Sequence, residues 1–258
     1  MSDKSAPRIG CVPYLNARPL IYGIEDRVTL CTPARLADLM QRNQFEVGLV
    51  PVAEVLQHDR YDLLDGIAIA SRGAVASVFL AHREPIDKLK RIAVDPASRT
   101  SVWLLRVLLK LGYHIEPEFY PRPAGAKLSE HEGMMLIGDE AIWYATRNGA
   151  QPPVWDLGAA WVDMTGLPFV YAAWALQRGV EARPVAALLR SAKANGLAHL
   201  EKIVQDATEA TPEFLREYYT RNVWYELGDA EKQGLKRFQQ YLKDLGLIER
   251  SHDLRYVS

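Results

Sequence analysis

The chain begins as short apolar runs, each stopped by a proline or polar turn and followed by a stretch of helical period. Residues 8–12, 28–31 and 46–50 read as strands. A short helix is expected near Pro19, a second from the Thr32-Pro33 cap pair to Met40 with Leu36, Leu39 and Met40 inward, and a third over 52–58. This βαβαβα alternation predicts a parallel sheet with helices on both faces. At Gly66 the pattern changes, because the runs 67–71 and 75–81 are joined by Arg72-Gly73 with no helix between them. After a charged connector over 82–90, residues 91–94 form a strand. An apolar helix follows over 101–111, burying Val102, Leu105, Leu108 and Leu109 and stopped by Gly112. Strands are expected over 116–120 and 134–137, a loop over 121–132 and a helix over 140–147. Another strand is expected within 155–171, leaving a Thr165-Gly166 turn, and 172–177 leads back to the first part of the chain. Everything after residue 178 reads as helical: 184–195, 197–206, a segment capped by Thr211-Pro212, and one from Asp229 whose Leu235, Phe238, Leu242 and Leu245 share a face until Gly246. These helices need the first small sheet as a partner. The expected organisation is therefore lobe one from residues 1–88 plus 176–258 and lobe two from 89–175, with hinges over 85–91 and 172–178.

Composition narrows the function. With 258 residues, 48% hydrophobic, the chain is long enough for two lobes with real cores. Its 31 Lys and Arg against 32 Asp and Glu give a net charge of −1, so no long-range field gathers nucleic acid or an anionic membrane, and any anion must be caught locally. The opening residues lack the apolar core of a signal peptide, and no apolar run approaches a membrane span, so a cytoplasmic location is expected. Cys11 and Cys31 lie in apolar runs and are expected to stay as free thiols. Six scattered histidines show no metal-ligand spacing, and no Walker loop, nucleophile elbow or dinucleotide fingerprint is present. No metal or cofactor is expected.

The candidate chemistry lies at strand ends, where ligands bind in open α/β sheets. Tyr14 and Asn16 follow the first strand; Asn16 is either a contact or a turn residue bonding its own backbone. Residues 95–101 form a polar turn between strand and helix. Its Ser98, Arg99, Thr100 and Ser101 either cap that helix or hold a carboxylate or phosphate at its positive end. Ser77 offers a hydroxyl amid small residues, and Gly138-Asp139 opens a second strand-to-helix turn where Asp139 either caps or reacts. Thr165 and Gly166 are placed to present backbone N–H groups.

Five motifs in order, VPYLNARPL at 12–20, EVGLVPV at 46–52, DPASRTS at 95–101, LIGDEA at 136–141 and TGLPF at 165–169, resemble the MqnA family, chorismate dehydratases of the futalosine route to menaquinone. The resemblance spans nearly the whole chain. It implies an α/β, two-lobed fold like type 2 periplasmic binding proteins, with the active site in the interlobe cleft. It also implies a hydro-lyase that removes water from chorismate to give 3-[(1-carboxyvinyl)oxy]benzoate. A small dianionic substrate agrees with the local anion holders, with Ser98 to Ser101 on the ring carboxylate and Ser77, Thr165 and Gly166 near the other end. Asn16, Ser77 and Asp139 are the candidate catalytic groups, and Tyr14, Ser98, Arg99, Thr100, Ser101, Gly138, Thr165 and Gly166 the candidate binding groups. The expected partner is chorismate alone, bound by a monomer or homodimer. The naphthoate synthase of the same route has a similar fold and a histidine base, but residues 136–149 contain no histidine. A non-catalytic effector-binding domain is the rival of a different class, and stoichiometric binding without turnover would identify it.

Overall fold

The computed structural model describes residues 6–95, 98–123, 125–146 and 153–258. Pro96 and Ala97 of the expected anion turn and residue 147 of the expected helix lie outside them.

The first lobe starts as its pattern implies: β1 (Ile9–Cys11), α1 (Arg18–Ile21), β2 (Val28–Leu30), α2 (Pro33–Gln41), β3 (Val47–Pro51) and α3 (Val52–Gln57). β1 pairs in parallel with both β2 and β3. The next strand, β4 (Tyr61–Ser71), is longer than the run expected for it. The chain then enters the second lobe through β5 (Val78–His82), β6 (Arg91–Val94), α4 (Arg99–Leu108), β7 (Glu118–Pro121), β8 (Gly133–Ile137), α5 (Gly138–Ala145), β9 (Val154–Asp156) and α6 (Leu157–Thr165). It comes back along β10 (Phe169–Gln177), continues through α7 (Ala182–Ala198), α8 (Leu200–Asp206), α9 (Pro212–Glu217) and α10 (Asp229–Asp244), and ends in β11 (Arg255–Val257).

Two sheets result, ordered β11-β4-β10-β3-β1-β2 and β7-β6-β8-β5-β9. Neither is wholly parallel. β10 returns from the second lobe and runs antiparallel to both β3 and β4, while β5 enters that lobe antiparallel to β8 and β9. Among the described residues only these two strands, β10 on its return and β5 on its entry, run against the direction set by the βα units, so the expectation of a parallel sheet holds for the segments built by local alternation.

Sheet membership also moves the lobe boundaries. β5 belongs to the second sheet and β10 to the first, so the crossings are residues 72–77 and 166–168 rather than boundaries near 88 and 176 or hinges over 85–91 and 172–178. The charged 82–90 segment instead makes a turn at Ile86–Lys88 within the second lobe. Three other differences stand out. Leu157–Thr165 is a helix, because Asp156 caps it by accepting from Gly158 and Ala159 N–H. The helix after β6 does not stop at Gly112 but widens into a π turn over Leu109–Tyr113, ending where His114 takes φ +57°. The carboxyl-terminal β11 adds a parallel edge to β4, in a stretch that reads as non-strand.

The main core is continuous across both lobes, with Leu49, Val50, Leu80, Leu104, Trp161 and Trp174 among its fully buried members. A smaller cluster holds Phe79, Ala81, Met134 and Leu136 on the other face of the second sheet. The alternation Val78/Leu80 against Phe79/Ala81 between the two clusters is the two-residue period of a strand covered on both faces.

Candidate functional site

The carboxyl ends of β1, β3 and β4 meet the start of α4 and the β8–α5 turn around a cavity of about 630 Å³, counting its mouth. Its walls are largely apolar, including Val12, Leu49, Ile69, Val75 and Ile137. Polar groups enter from both lobes: Asn16 and Tyr171 from the first, Ser98, Thr100 and Ser101 from the second, and Ser77 from the crossing between them. An apolar hollow with a few convergent polar groups is the usual form of a small-molecule site.

Ser98 is the N-cap residue of α4 by position, yet its hydroxyl caps nothing. The Oγ is buried and has no partner among the described residues. The backbone N–H groups of Arg99, Thr100 and Ser101 begin the same ten-residue helix, so its positive end faces the cavity wall. Thr100 does something else. Its Oγ1 accepts from Ala53 N–H at 3.0 Å, capping α3 from the opposite lobe. Arg99 lines the cavity through its stem, but its guanidinium donates to Gln57 Oε1 at 3.0 Å, with Glu54 4.0 Å away. The expected guanidinium beside a bound anion is therefore engaged with the first lobe.

On the facing wall, Asn16 Oδ1 is buried without a partner among the described residues. Ser77 is wholly buried and its Oγ accepts from the Tyr218 hydroxyl at 2.9 Å. The residue before it, Ala76, has φ +61°, a conformation that costs a non-glycine residue about 1 kcal/mol or more. The Asp156 carboxylate holds that bend by accepting from Val75 and Ala76 N–H, besides capping α6. Tyr14 packs its ring on Gly138, where an added Cβ would lie 3.1 Å from the ring and φ is +58°. Burial, with Asp95, Asp139 and Glu140 nearby, pushes the Tyr14 phenol up to about 12. Burial also raises the Asp139 carboxyl, partly offset by the hydrogen bond it accepts from Leu15 N–H at 3.0 Å.

Residues 7–244 match the family model described as menaquinone biosynthesis. The chain belongs to the menaquinone biosynthesis family. It is similar to the chorismate dehydratase of Thermus thermophilus, 34% identical over 259 residues that cover 91% of this chain and 94% of that protein. In fold it resembles protein AF1704 of Archaeoglobus fulgidus, with a TM-score of 0.70 at 19% identity over 94% of this chain and 98% of that one. It also resembles the periplasmic aliphatic sulphonate binding protein SsuA of Escherichia coli, with a TM-score of 0.64 at 14% identity over 98% and 96%. The two-lobed fold of periplasmic solute-binding proteins is thus the fold of this family member.

Eight of the site residues expected for this menaquinone biosynthesis protein line the cavity: Tyr14, Asn16, Ser77, Ser98, Arg99, Thr100, Ser101 and Gly138. Three do not. Thr165 and Gly166 terminate α6; Thr165 Oγ1 donates to Trp161 O and accepts from Leu167 N–H, and Gly166 N–H donates to Val162 O, so the turn spends its polar groups on itself. Asp139 stands behind the lining and binds Leu15 N–H across the lobes, while the N-cap position of its own helix is Ile137. Gly138 lines the cavity, but its N–H is already donated to Ser77 O at 2.7 Å.

Sequence reasoning misses Tyr218, Tyr171 and Asp156. Asp156 has a usable signal, an acidic residue just before an apolar helical period. Tyr218 has none, since it lies in a helical stretch more than a hundred residues from its partner Ser77.

Proposed function

We propose that the cleft binds chorismate and removes water from it, giving 3-[(1-carboxyvinyl)oxy]benzoate. The observation that carries this reading is the 34% identity to a chorismate dehydratase along nearly the whole of both chains. The site is chemically suited to the task. Chorismate is a dianion, and the start of α4 with the Ser98 hydroxyl, unpartnered among the described residues, offers donors to its ring carboxylate without an intervening guanidinium. The proton lost is the one on the ring carbon bearing the ether, acidified by conjugation with that carboxylate. Hydroxide leaves the adjacent carbon as the ring becomes aromatic, which supplies most of the driving force. Negative charge accumulates on the carboxylate as the proton departs, and donors fixed in an apolar cavity stabilise it without reorganising.

Asp139 is a poor candidate for the base, because its Oδ1 is bound to Leu15 N–H and it is not among the residues facing the cavity. The substrate's own side-chain carboxylate takes the proton instead, while Asn16 Oδ1 orients the departing hydroxyl. Among the described residues no helix is long and apolar enough to cross a membrane. On the dehydratase reading the protein acts in the cytoplasm on a small dianion, as a monomer or homodimer, with no nucleic-acid or membrane partner.

The test is incubation of the purified protein with chorismate, following substrate loss and aromatic ether formation by mass and ultraviolet absorption. Appearance of the product less one water is expected. Unchanged chorismate with saturable binding in a calorimeter would replace the enzyme reading with that of a small-molecule binder.

A further inference from the structure

The Tyr218 phenol belongs to the π turn Tyr218–Asn222 that follows α9, and it is only 1% exposed. It lies outside the cavity lining yet meets two residues of it. Its O–H donates to Ser77 Oγ at 2.9 Å, and the Asn16 side chain is placed as a donor toward the same phenol. A phenol has one proton. Once that proton is given to Ser77, Tyr218 can only accept from Asn16, so the group of Asn16 beside it is the amide NH₂. Asn16 Oδ1 is thereby turned away from the phenol, and it is the atom found buried and without a partner among the described residues. Ser77 Oγ is likewise committed as an acceptor toward Tyr218, so its own proton is free for the cavity it lines.

We propose that Tyr218 is a positioning residue that sets the hydrogen-bond polarity of the cleft, making Ser77 the donor and Asn16 Oδ1 the acceptor offered to the substrate. The inference rests on the dehydratase reading for its ligand and specifies how that ligand must sit. The group against Asn16 Oδ1 carries a hydroxyl proton, and chorismate has one such group, the ring hydroxyl that departs. The group against Ser77 is an acceptor, a carboxylate or ether oxygen. Burial pushes the phenol above its ordinary range, so it keeps its proton, and with it this polarity, throughout the neutral range.

The experiment compares the full-length protein with Tyr218→Phe, Ser77→Ala and the double variant, measuring kcat, KM and thermal unfolding. Loss of a buried hydrogen bond that orients two others should lower kcat roughly ten- to a hundred-fold with a smaller change in KM. In the Ser77→Ala background Tyr218→Phe should cost much less, because part of its action passes through the missing hydroxyl. Wild-type kinetics in Tyr218→Phe, or effects that multiply independently in the double variant, would overturn the proposal while leaving the dehydratase reading intact.

If Tyr218→Phe does not fold, Asn16→Asp probes the same chain. An ionised carboxylate cannot donate to Tyr218, so kcat should fall and then recover toward acidic pH as the introduced carboxyl regains a proton to give. A kcat that is low and flat with pH would overturn the assignment. Absence of turnover in the unmutated protein would instead overturn the dehydratase reading. The polarity would then be judged by calorimetry with chorismate, where Tyr218→Phe must weaken binding and Ser77→Ala must absorb that effect; equal affinities would end it.

Discussion

Residues 98–101 and residues 165–166 are both short hydroxyl-bearing steps at the end of an apolar helix, and both read as ligand donors in the sequence. They differ in which end of the helix they occupy. Ser98 precedes α4, where backbone N–H groups point outward and want an anion, and its own Oγ is buried and unpartnered among the described residues. Thr165 closes α6, where carbonyls point outward; its hydroxyl returns a hydrogen bond to Trp161 O, and Gly166 takes φ +69° to finish the helix. The first turn leaves its polarity for something outside the chain. The second uses its polarity to stop a helix.

That contrast can be broken most directly by removing one hydroxyl from each side. Ser98→Ala should reduce kcat/KM for chorismate by about ten- to a hundred-fold, the loss of a hydrogen bond to a charged group. Its unfolding midpoint should stay level or rise, since a buried hydroxyl without a partner contributes nothing to the folded state. A variant that keeps its kinetics and loses stability would make Ser98 an ordinary structural serine.

The two positive-φ glycines beside these turns sharpen the same point. Gly138→Ala and Gly166→Ala each place a side chain in a left-handed conformation, at about 1 kcal/mol or more in chemical denaturation. Only Gly138 has Tyr14 3.1 Å from the added carbon, whereas Gly166 has open space. Gly138→Ala should therefore also lower kcat/KM, by about ten-fold, as the displaced ring deforms the cavity wall. Equal kinetics in the two variants would show that the Tyr14 contact is dispensable.

Thr165→Ala should behave as the mirror of Ser98→Ala. It removes the hydroxyl's bonds to Trp161 O and Leu167 N–H and should cost about 1 kcal/mol of stability, with kcat and KM within about two-fold of the parent. A marked rise in KM would return the turn to the site.

The same distinction separates what is legible in the amino-acid sequence from what only tertiary contacts decide. The family resemblance, the βα alternation and the cavity-facing Tyr14, Asn16, Ser77 and Ser98 are legible because proline and glycine punctuate the strand ends and hydroxyls cluster there. The helix Leu157–Thr165 is not, although Asp156 stands at its N-cap, because the Thr-Gly pair at its end imitates a strand-leading turn. The lobe boundaries are hidden because the 82–90 charges look like a linker, whereas the crossings at 72–77 and 166–168 carry only the glycine and proline signals that also mark turns within a lobe. The direction of Arg99 is beyond sequence altogether, since its guanidinium is drawn to Gln57 and Glu54 on the opposite lobe. Tyr218 illustrates the same limit, a polar contact made by tertiary closure with no local period to announce it.

Asp139 offers the finest test, because it separates a carboxylate that joins the lobes from one that does chemistry. Its Oδ1 accepts from Leu15 N–H across the cleft, and burial holds its carboxyl above the ordinary range. A folded-state pKa above the unfolded one means that the ionised folded form is penalised at neutral pH, and that this penalty is relieved as pH falls through the raised value. Asp139→Asn keeps an oxygen for Leu15 N–H and removes the charge. The variant should therefore be more stable than the parent in urea at pH 7, with the gap closing toward acidic pH as the parent takes up its proton. Turnover of chorismate should remain within about five-fold, because the group carries an interlobe hydrogen bond and transfers no proton. A loss of about a thousand-fold in kcat with unchanged stability would make Asp139 the base and displace the substrate carboxylate from that role. A variant less stable than the parent at pH 7 would mean that the charged hydrogen bond to Leu15 outweighs the cost of burying the carboxylate.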